Sequence, residues 1–256
     1  MDLGLQGKKA LVTGGSRGIG RAIAELLADE GANVAICARN LNQVNETVEA
    51  LKNKGVKAFG KSVDIADGSA LRTWITESAQ ALGGIDILIS NPSAFASNNT
   101  ESDWESNFRV DLLGAQRSVE EAKPFLLKAA QEKGDAAIVF IASGAALETE
   151  RVSPYGAMKA ALIHFAKGVA RTEAPYGIRS NVVSPGTVYF EGGFWQRVEQ
   201  HNPEMFQQFM GRNPMGRMGT AQEIARATVF LASPASSFTT GINMLVDGTY
   251  TTRVPF

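Results

Sequence analysis

The sequence predicts an α/β fold: a doubly wound parallel sheet of about seven strands with helices on both faces. Three observations predict it. Short apolar runs rich in β-branched residues recur along the 256 residues, and longer segments with helical periodicity separate them. The runs are nearly continuous in apolar character, as in strands buried on both faces. The strand–helix–strand rhythm repeats often enough to require parallel strands joined by right-handed crossovers.

The first strand is KALVTG (9–14), followed by the glycine-rich turn of LVTGGSRGIG. In the helix that this turn opens, Ile19, Ala22, Ile23, Leu26 and Leu27 share one face, while Arg21, Glu25 and Asp29 take other positions. Gly31 ends that helix. NVAICAR (33–39) is the second strand and holds the single cysteine, Cys37, which has no disulfide partner in the chain and reads as a buried strand residue. VKAFGKSVD (56–64), IDILIS (85–90) and AAIVFIAS (136–143) follow, then a helix carrying Tyr155 and Lys159, and then IRSNVVSP (178–185). NMLVDG (243–248) completes the seven.

The rhythm breaks between about residues 189 and 215, where Phe190, Phe194, Trp195, Met205, Phe206, Phe209 and Met210 cluster too densely for a solvated loop. Its place after a strand's carboxyl end favours a helical lid over an apolar substrate. The alternatives are helices packing on the core, or a subunit contact.

Nothing divides the chain: it has no low-complexity linker, no short repeat and no block of like charge, so residues 1–256 read as one domain with the lid inserted. A formal net charge of −1 argues against a nucleic-acid or membrane surface. The first residues, MDLGLQGKK, form no apolar leader and no stretch is long enough to span a bilayer, so a cytoplasmic setting is expected. Only His164 and His201 are present, neither in a ligand-like pattern, so no metal is expected.

Gly14, Gly18 and Gly20 remove side chains where a backbone must approach a pyrophosphate, and the following helix offers free N–H groups and the positive end of its dipole. Glycine also serves ordinary tight turns, so the motif takes its meaning from lying between a strand and a helix. Ser16, Arg17 and Ile19 belong to the same phosphate turn. At the end of the second strand, a carboxylate would accept from the ribose 2′-hydroxyl of NAD and repel a 2′-phosphate. This chain has Ala38 and Arg39 there, with Arg17 in the turn, which favours NADP(H) and leaves NAD(H) as the alternative. One charge-assisted hydrogen bond, worth about 1.5–3 kcal/mol, gives roughly ten- to a hundred-fold preference. The competing reading of Arg39 is a solvated loop residue. Asp64 is placed to accept from the adenine amine, with Ile65 against the ring. The competing role is capping, by Asp64 or Asp67, of the helix beginning near Ser69. Asn91 follows the fourth strand, where a cofactor crosses the switch point.

Tyr155 and Lys159, four residues apart on a helix, share a face, and Ser143 stands twelve residues before the tyrosine. A phenol ionises near pH ~10, and lowering that by about three units takes roughly 4 kcal/mol. An adjacent ammonium, and the positive nicotinamide of an oxidised cofactor, work in that direction. Ser143 would then hold the substrate oxygen by a hydrogen bond. Tyr-x-x-x-Lys alone is usually a helix surface; joined to Ser143 and the glycine turn in this order, it points to hydride transfer between an alcohol carbon and a nicotinamide.

On these residues, and on VDI around Asp64, DILISN, YGAMK, IRSNVVSPG, NPMGRMGTAQEIA and GINMLVDG, essentially the whole chain resembles the short-chain dehydrogenase/reductase family. It is most similar to the 3-oxoacyl-acyl carrier protein reductases. The resemblance implies a Rossmann-type fold, Tyr155 as acid–base, and Lys159 as the group that lowers its pKa and holds the nicotinamide ribose. It implies that Ser143 orients the substrate and that Pro185, Gly186 and Val188 line the nicotinamide pocket. It also implies a homotetramer built through the helices after Thr100 and Tyr155 and through the C-terminal strand. Departures are visible. Ser90-Asn91-Pro92-Ser93 replaces the family's Asn-Asn-Ala-Gly, and Pro92 removes a backbone donor. Asp111 occupies the place of a fourth catalytic residue, an asparagine, and an ionised carboxylate only accepts. Phe190 stands near the position of a usual threonine. The expected function is oxidoreduction of a small apolar ketone or alcohol. The alternative, supported by Asp111 and the altered loop, is a cofactor-binding protein with weak catalysis that acts as a regulator or assembly partner.

Overall fold

In the computed structural model, which describes residues 2–253, all seven expected strands form. In chain order the elements are β1 (Lys9–Thr13), α1 (Gly18–Asp29), β2 (Asn33–Ala38), α2 (Leu41–Lys52), β3 (Ala58–Ser62), α3 (Gly68–Leu82), β4 (Ile87–Ser90) and α4 (Glu101–Asn107). There follow α5 (Gly114–Lys133), β5 (Ala136–Ile141), α6 (Pro154–Glu173), β6 (Ile178–Pro185), β7 (Val188–Tyr189), α7 (Phe194–His201), α8 (Pro203–Gly211), β8 (Gly219–Thr220), α9 (Ala221–Ala232) and β9 (Asn243–Val246). The main sheet runs β3-β2-β1-β4-β5-β6-β9, parallel throughout, so the order reverses between β1 and β4. A crevice opens there, beyond the carboxyl ends of the strands.

Each strand feeds both faces, which explains why its residues are apolar without alternation. Ala10 and Val12 of β1 join Val34 and Ile36 of β2 beneath α1, α2 and α9, while Leu11, Ala35 and Cys37 join Trp74, Phe140 and Leu162 beneath α3, α5 and α6. Gly31, at φ +79°, lies just beyond α1 and donates its N–H to the Ala28 carbonyl, as a left-handed terminator does. No helix among the described residues is long and apolar enough to cross a membrane.

Two features are not written in the periodicity. Between α4 and α5 the chain makes a π-helical turn, Phe108–Leu113, which carries Asp111. The 189–215 segment forms α7 and α8 around a small apolar cluster of its own, centred on Val198, Phe206 and Met218.

Candidate active site

The glycine turn is shaped by its own backbone. A Cβ on Gly20 would lie 2.1 Å from the Gly14 carbonyl oxygen, so α1 can start this close to β1 only with glycine at 20. Asn91 braces the same turn: its Nδ2 donates to the Gly14 carbonyl at 3.0 Å and faces the Thr13 carbonyl at 3.3 Å. Asn91 thus commits its amide N–H groups to the turn. The buried Ser16 lies 3.4 Å from Gln43 of α2 through its hydroxyl.

The start of α1 fits a phosphate. Its N-cap residue, Arg17, is extended and gives no side-chain cap, and the first turn has no acidic residue. By contrast Asn40, Asp67, Thr100, Ser153, Asn202 and Thr220 cap α2, α3, α4, α6, α8 and α9. The N–H groups of Ile19 and Gly20 are therefore left for an anion. Arg17 and Arg39 are both exposed, and among the described residues neither forms an ion pair. The Gly15 N–H donates to the Cys37 carbonyl at 3.1 Å, tying the turn to the end of the strand that Arg39 follows.

On the adenosine side the two aspartates divide. Asp64 is exposed and its Oδ1 accepts from the Ala66 N–H at 2.9 Å, while Asp67 is the residue that caps α3, accepting from Ser69 and Ala70. Ile65 does not face out toward an adenine: it is buried in the core against Gly114, where an added Cβ would come within 2.5 Å of it. Full burial suits a branched aliphatic side chain better than an open ligand face. Val188 is likewise packed into the sheet core. Pro185 ends β6, and the Gly186 N–H donates to Val246 with Asp247 so close that a Cβ would meet it at 2.6 Å.

Ser143, Tyr155 and Lys159 do converge. Ser153 caps α6 and Pro154 opens it, which fixes the helix one residue before the tyrosine. Lys159 is 2% exposed; its Nζ donates to the Ile141 carbonyl at 2.9 Å and lies 5.8 Å from the centroid of the Tyr155 ring. The same Nζ is 3.0 Å from Asp111 Oδ1, an ionic contact whose alignment is not that of a hydrogen bond. The other oxygen, Oδ2, accepts the Ala94 N–H at 3.0 Å. The wide π turn delivers this carboxylate, as such turns often do at functional sites.

Within the protein's own residues, burial opposes the expected lowering of the tyrosine pKa. Burial pushes the phenol above its ordinary value; the Lys159 charge and the Ser143 hydroxyl pull it down, and Asp111 pushes it up again. Lysine does act in the expected direction, but desolvation is larger and the carboxylate offsets part of the lysine's charge.

The three lid aromatics divide. Phe194 and Trp195 lie with ring centroids 5.1 Å apart, and Trp195 reaches Phe209 at 4.7 Å. Phe190 instead turns toward the phosphate turn, where a Cβ on Gly18 would come within 2.6 Å of its ring. It packs with the sheet core, not with the lid cluster. Sequence reasoning missed Phe95, whose ring sits 4.9 Å from Tyr155 and 5.0 Å from Phe194. An aromatic isolated among the small residues of SNPSAFASNN was the available signal. Tyr250 was missed as well; it stacks on Phe209 at 6.4 Å, with the Arg212 guanidinium 5.1 Å from its ring.

Known proteins are similar to this chain over nearly its whole length. The family profile described as enoyl-(acyl carrier protein) reductase matches residues 14–251. Isoepoxydon dehydrogenase of Penicillium expansum is 37% identical over 97% of this chain and 96% of its own length. The 3-oxoacyl-[acyl-carrier-protein] reductase of Staphylococcus aureus is 32% identical over 94% and 97%. The crystal structure of L-sorbose reductase from Gluconobacter frateurii, complexed with NADPH and L-sorbose, superposes with a TM-score of 0.90 at 28% identity, covering 99% of this chain and all of that one. With its parallel sheet, its glycine turn and its Ser143–Tyr155–Lys159 set, the chain belongs to the short-chain dehydrogenase/reductase family of oxidoreductases.

Proposed function

We propose that the chain is an NADP(H)-dependent oxidoreductase that interconverts a ketone, 3-oxoacyl groups included, and a secondary alcohol. The observation that carries this reading is a buried lysine beside a half-buried phenol and a serine hydroxyl, across the switch-point crevice from an uncapped helix start. The first turn of α1 with Ser16, Gly18, Ile19 and Gly20 would hold the pyrophosphate. Arg17 and Arg39 would hold the 2′-phosphate, with Lys159 at the nicotinamide ribose and Pro185–Gly186 beside the ring. NADPH in the sorbose reductase complex supports this cofactor. When bound, the nicotinamide supplies or accepts the hydride.

The residues of this chain manage the proton. Because burial holds its pKa up, Tyr155 carries its proton at neutral pH and can give it to the substrate oxygen during reduction. Ser143 holds that oxygen in place. Lys159, fixed by the Ile141 carbonyl, steadies the phenolate that remains, and Asp111 limits how far it does so. In the oxidative direction the phenolate takes the proton back. Phe194, Trp195 and Phe209 form an apolar roof suited to a hydrophobic carbonyl substrate. Assembly as a homotetramer is part of the reading: an open groove lies between the π turn with the start of α5 (Phe108, Leu112, Leu113, Gln116) and α6 (Ala161, His164, Phe165), in the helical segments expected to pair between subunits.

The test is Tyr155→Phe, assayed by NADPH oxidation with acyl thioesters, cyclic ketones and steroids. Turnover should fall by about 10²–10⁴ with little change in NADPH affinity. Wild-type turnover in the variant would overturn the assignment. A wild-type protein that binds NADPH yet reduces none of the panel would favour the regulatory reading.

A further inference from the structure

Phe95 lies in the loop after β4, outside every motif discussed above, and its backbone is unusual. At φ +53° it is one of the few non-glycine residues in the left-handed region, where a bulky side chain is disfavoured. Its ring gains only partial burial in exchange, for it is 44% exposed. The neighbours over-determine this conformation. Ser93 Oγ accepts the Phe95 N–H at 3.0 Å, and Asp111 Oδ2 accepts the preceding N–H, that of Ala94. Asn107, fully buried, brackets the residue after it, donating to the Ala96 carbonyl at 2.8 Å and facing its N–H at 3.3 Å. Two buried polar side chains are thus committed to presenting one exposed aromatic ring. Strain of this kind persists at sites where geometry is used.

The ring is presented at the mouth of the catalytic site. It meets Tyr155 edge-on at 66° and Phe194, the first residue of α7, at 62°. Phe95 stands on the sheet side, fixed by α4 and the π turn, whereas Phe194 stands on the lid side, just after Gly192 (φ +71°) and Gly193. The two rings touch at 5.0 Å between centroids, so together they make one aromatic wall beside the Tyr155 ring.

We propose that Phe95 is a specificity-determining residue and that the substrate class is a ketone carried on, or directly attached to, an alicyclic or aromatic ring. A flat ring laid against this wall contacts both Phe95 and Phe194 at ring-to-ring spacing. A narrow linear acyl chain covers less of each face and leaves part of both rings wet. The inference rests on Tyr155 being the acid–base, since the placement of Phe95 matters only beside the reacting oxygen.

The experiment compares wild type with Phe95→Ala, Phe95→Gly and Phe95→Tyr. 1-Tetralone serves as the ring ketone and ethyl acetoacetate as the acyclic control. Phe95→Ala and Phe95→Gly should raise KM for tetralone by about ten-fold or more, and KM for ethyl acetoacetate far less. Phe95→Tyr should restore the wild-type KM. Phe95→Gly relieves the left-handed strain, so it should melt no lower than wild type, which separates lost recognition from lost folding. Equal effects on both ketones, or none on either, would overturn the proposal. Binding of tetralone in the presence of NADP+, followed by tryptophan fluorescence, reads the same contact without turnover. An unchanged Kd in Phe95→Ala overturns the role of Phe95. Absent NADPH oxidation with normal, Phe95-dependent binding would overturn the acid–base reading alone.

Discussion

At the phosphate turn the crevice is made of backbone: Gly14, Gly18 and Gly20 clear the space, Asn91 holds two carbonyls, and the N–H groups of α1 are left without side-chain caps. Across the crevice, around Tyr155, it is made of side chains. A lysine and an aspartate face each other out of water, and an aromatic series runs from Phe95 through Phe194 and Trp195 to Phe209. A backbone surface admits few substitutions and binds what all members of a cofactor class share. A side-chain surface can be rewritten one residue at a time, and it is where one oxidoreductase of the family differs from another.

The largest test of that contrast is Gly20→Ala. A single methyl would meet the Gly14 carbonyl oxygen at 2.1 Å, and neither strand nor helix can move aside cheaply. Stability should fall by about 1–3 kcal/mol in a denaturant titration, with NADPH affinity lost beyond that. A tolerated alanine would mean that the turn is less rigid than its contacts imply.

Cofactor preference comes next, because it depends on side chains added at the rim of the backbone half. Ala38→Asp combined with Arg39→Ala should move the NADPH-to-NADH preference by roughly ten- to a hundred-fold toward NADH, read from the two kcat/KM values. Equal wild-type affinities for the two nucleotides would show that Arg17 and Arg39 serve only solvent.

On the substrate side a truncation should be milder. Trp195→Ala removes the ring between Phe194 and Phe209 and should raise KM for an apolar ketone by about three- to ten-fold, with the oligomer unchanged by sedimentation. Dissociation without a KM effect would move this cluster from the substrate to a subunit contact.

The subtlest expected change is a displaced pH profile. Asp111 raises the phenol's pKa, so Asp111→Asn should lower it. Reduction needs the protonated phenol, and its alkaline limb should therefore move to lower pH. Oxidation needs the phenolate, and its acid limb should move the same way. A profile that stays in place would show that the carboxylate acts only on the loop at Ala94.

The two halves were also unequally legible in the sequence. All seven strands and the glycine turn follow from local rules, since each apolar run and each glycine reports the backbone at its own position. Ser143, Tyr155 and Lys159 were legible because their spacing is fixed by one strand and one helix. Ile65 and Phe190 were harder to place, because at the end of a strand one step along the chain decides which way a side chain faces. Ile65 turned inward to Gly114, and Phe190 turned to Gly18. Phe95 was invisible because its position depends on Asn107 and Asp111, buried residues more than ten positions along the chain.

Cys37 gives the sheet a built-in clock. It lies in the middle layer with no exposed surface, and burial pushes its thiol well above the ordinary range, so thiol reagents can reach it only when β2 comes away from its neighbours. As the chain's single cysteine, it makes the rate of labelling in a native buffer a direct reading of how often the sheet opens. Its carbonyl accepts the Gly15 N–H of the phosphate turn, so a nucleotide that settles on that turn should slow the clock before any catalysis is measured.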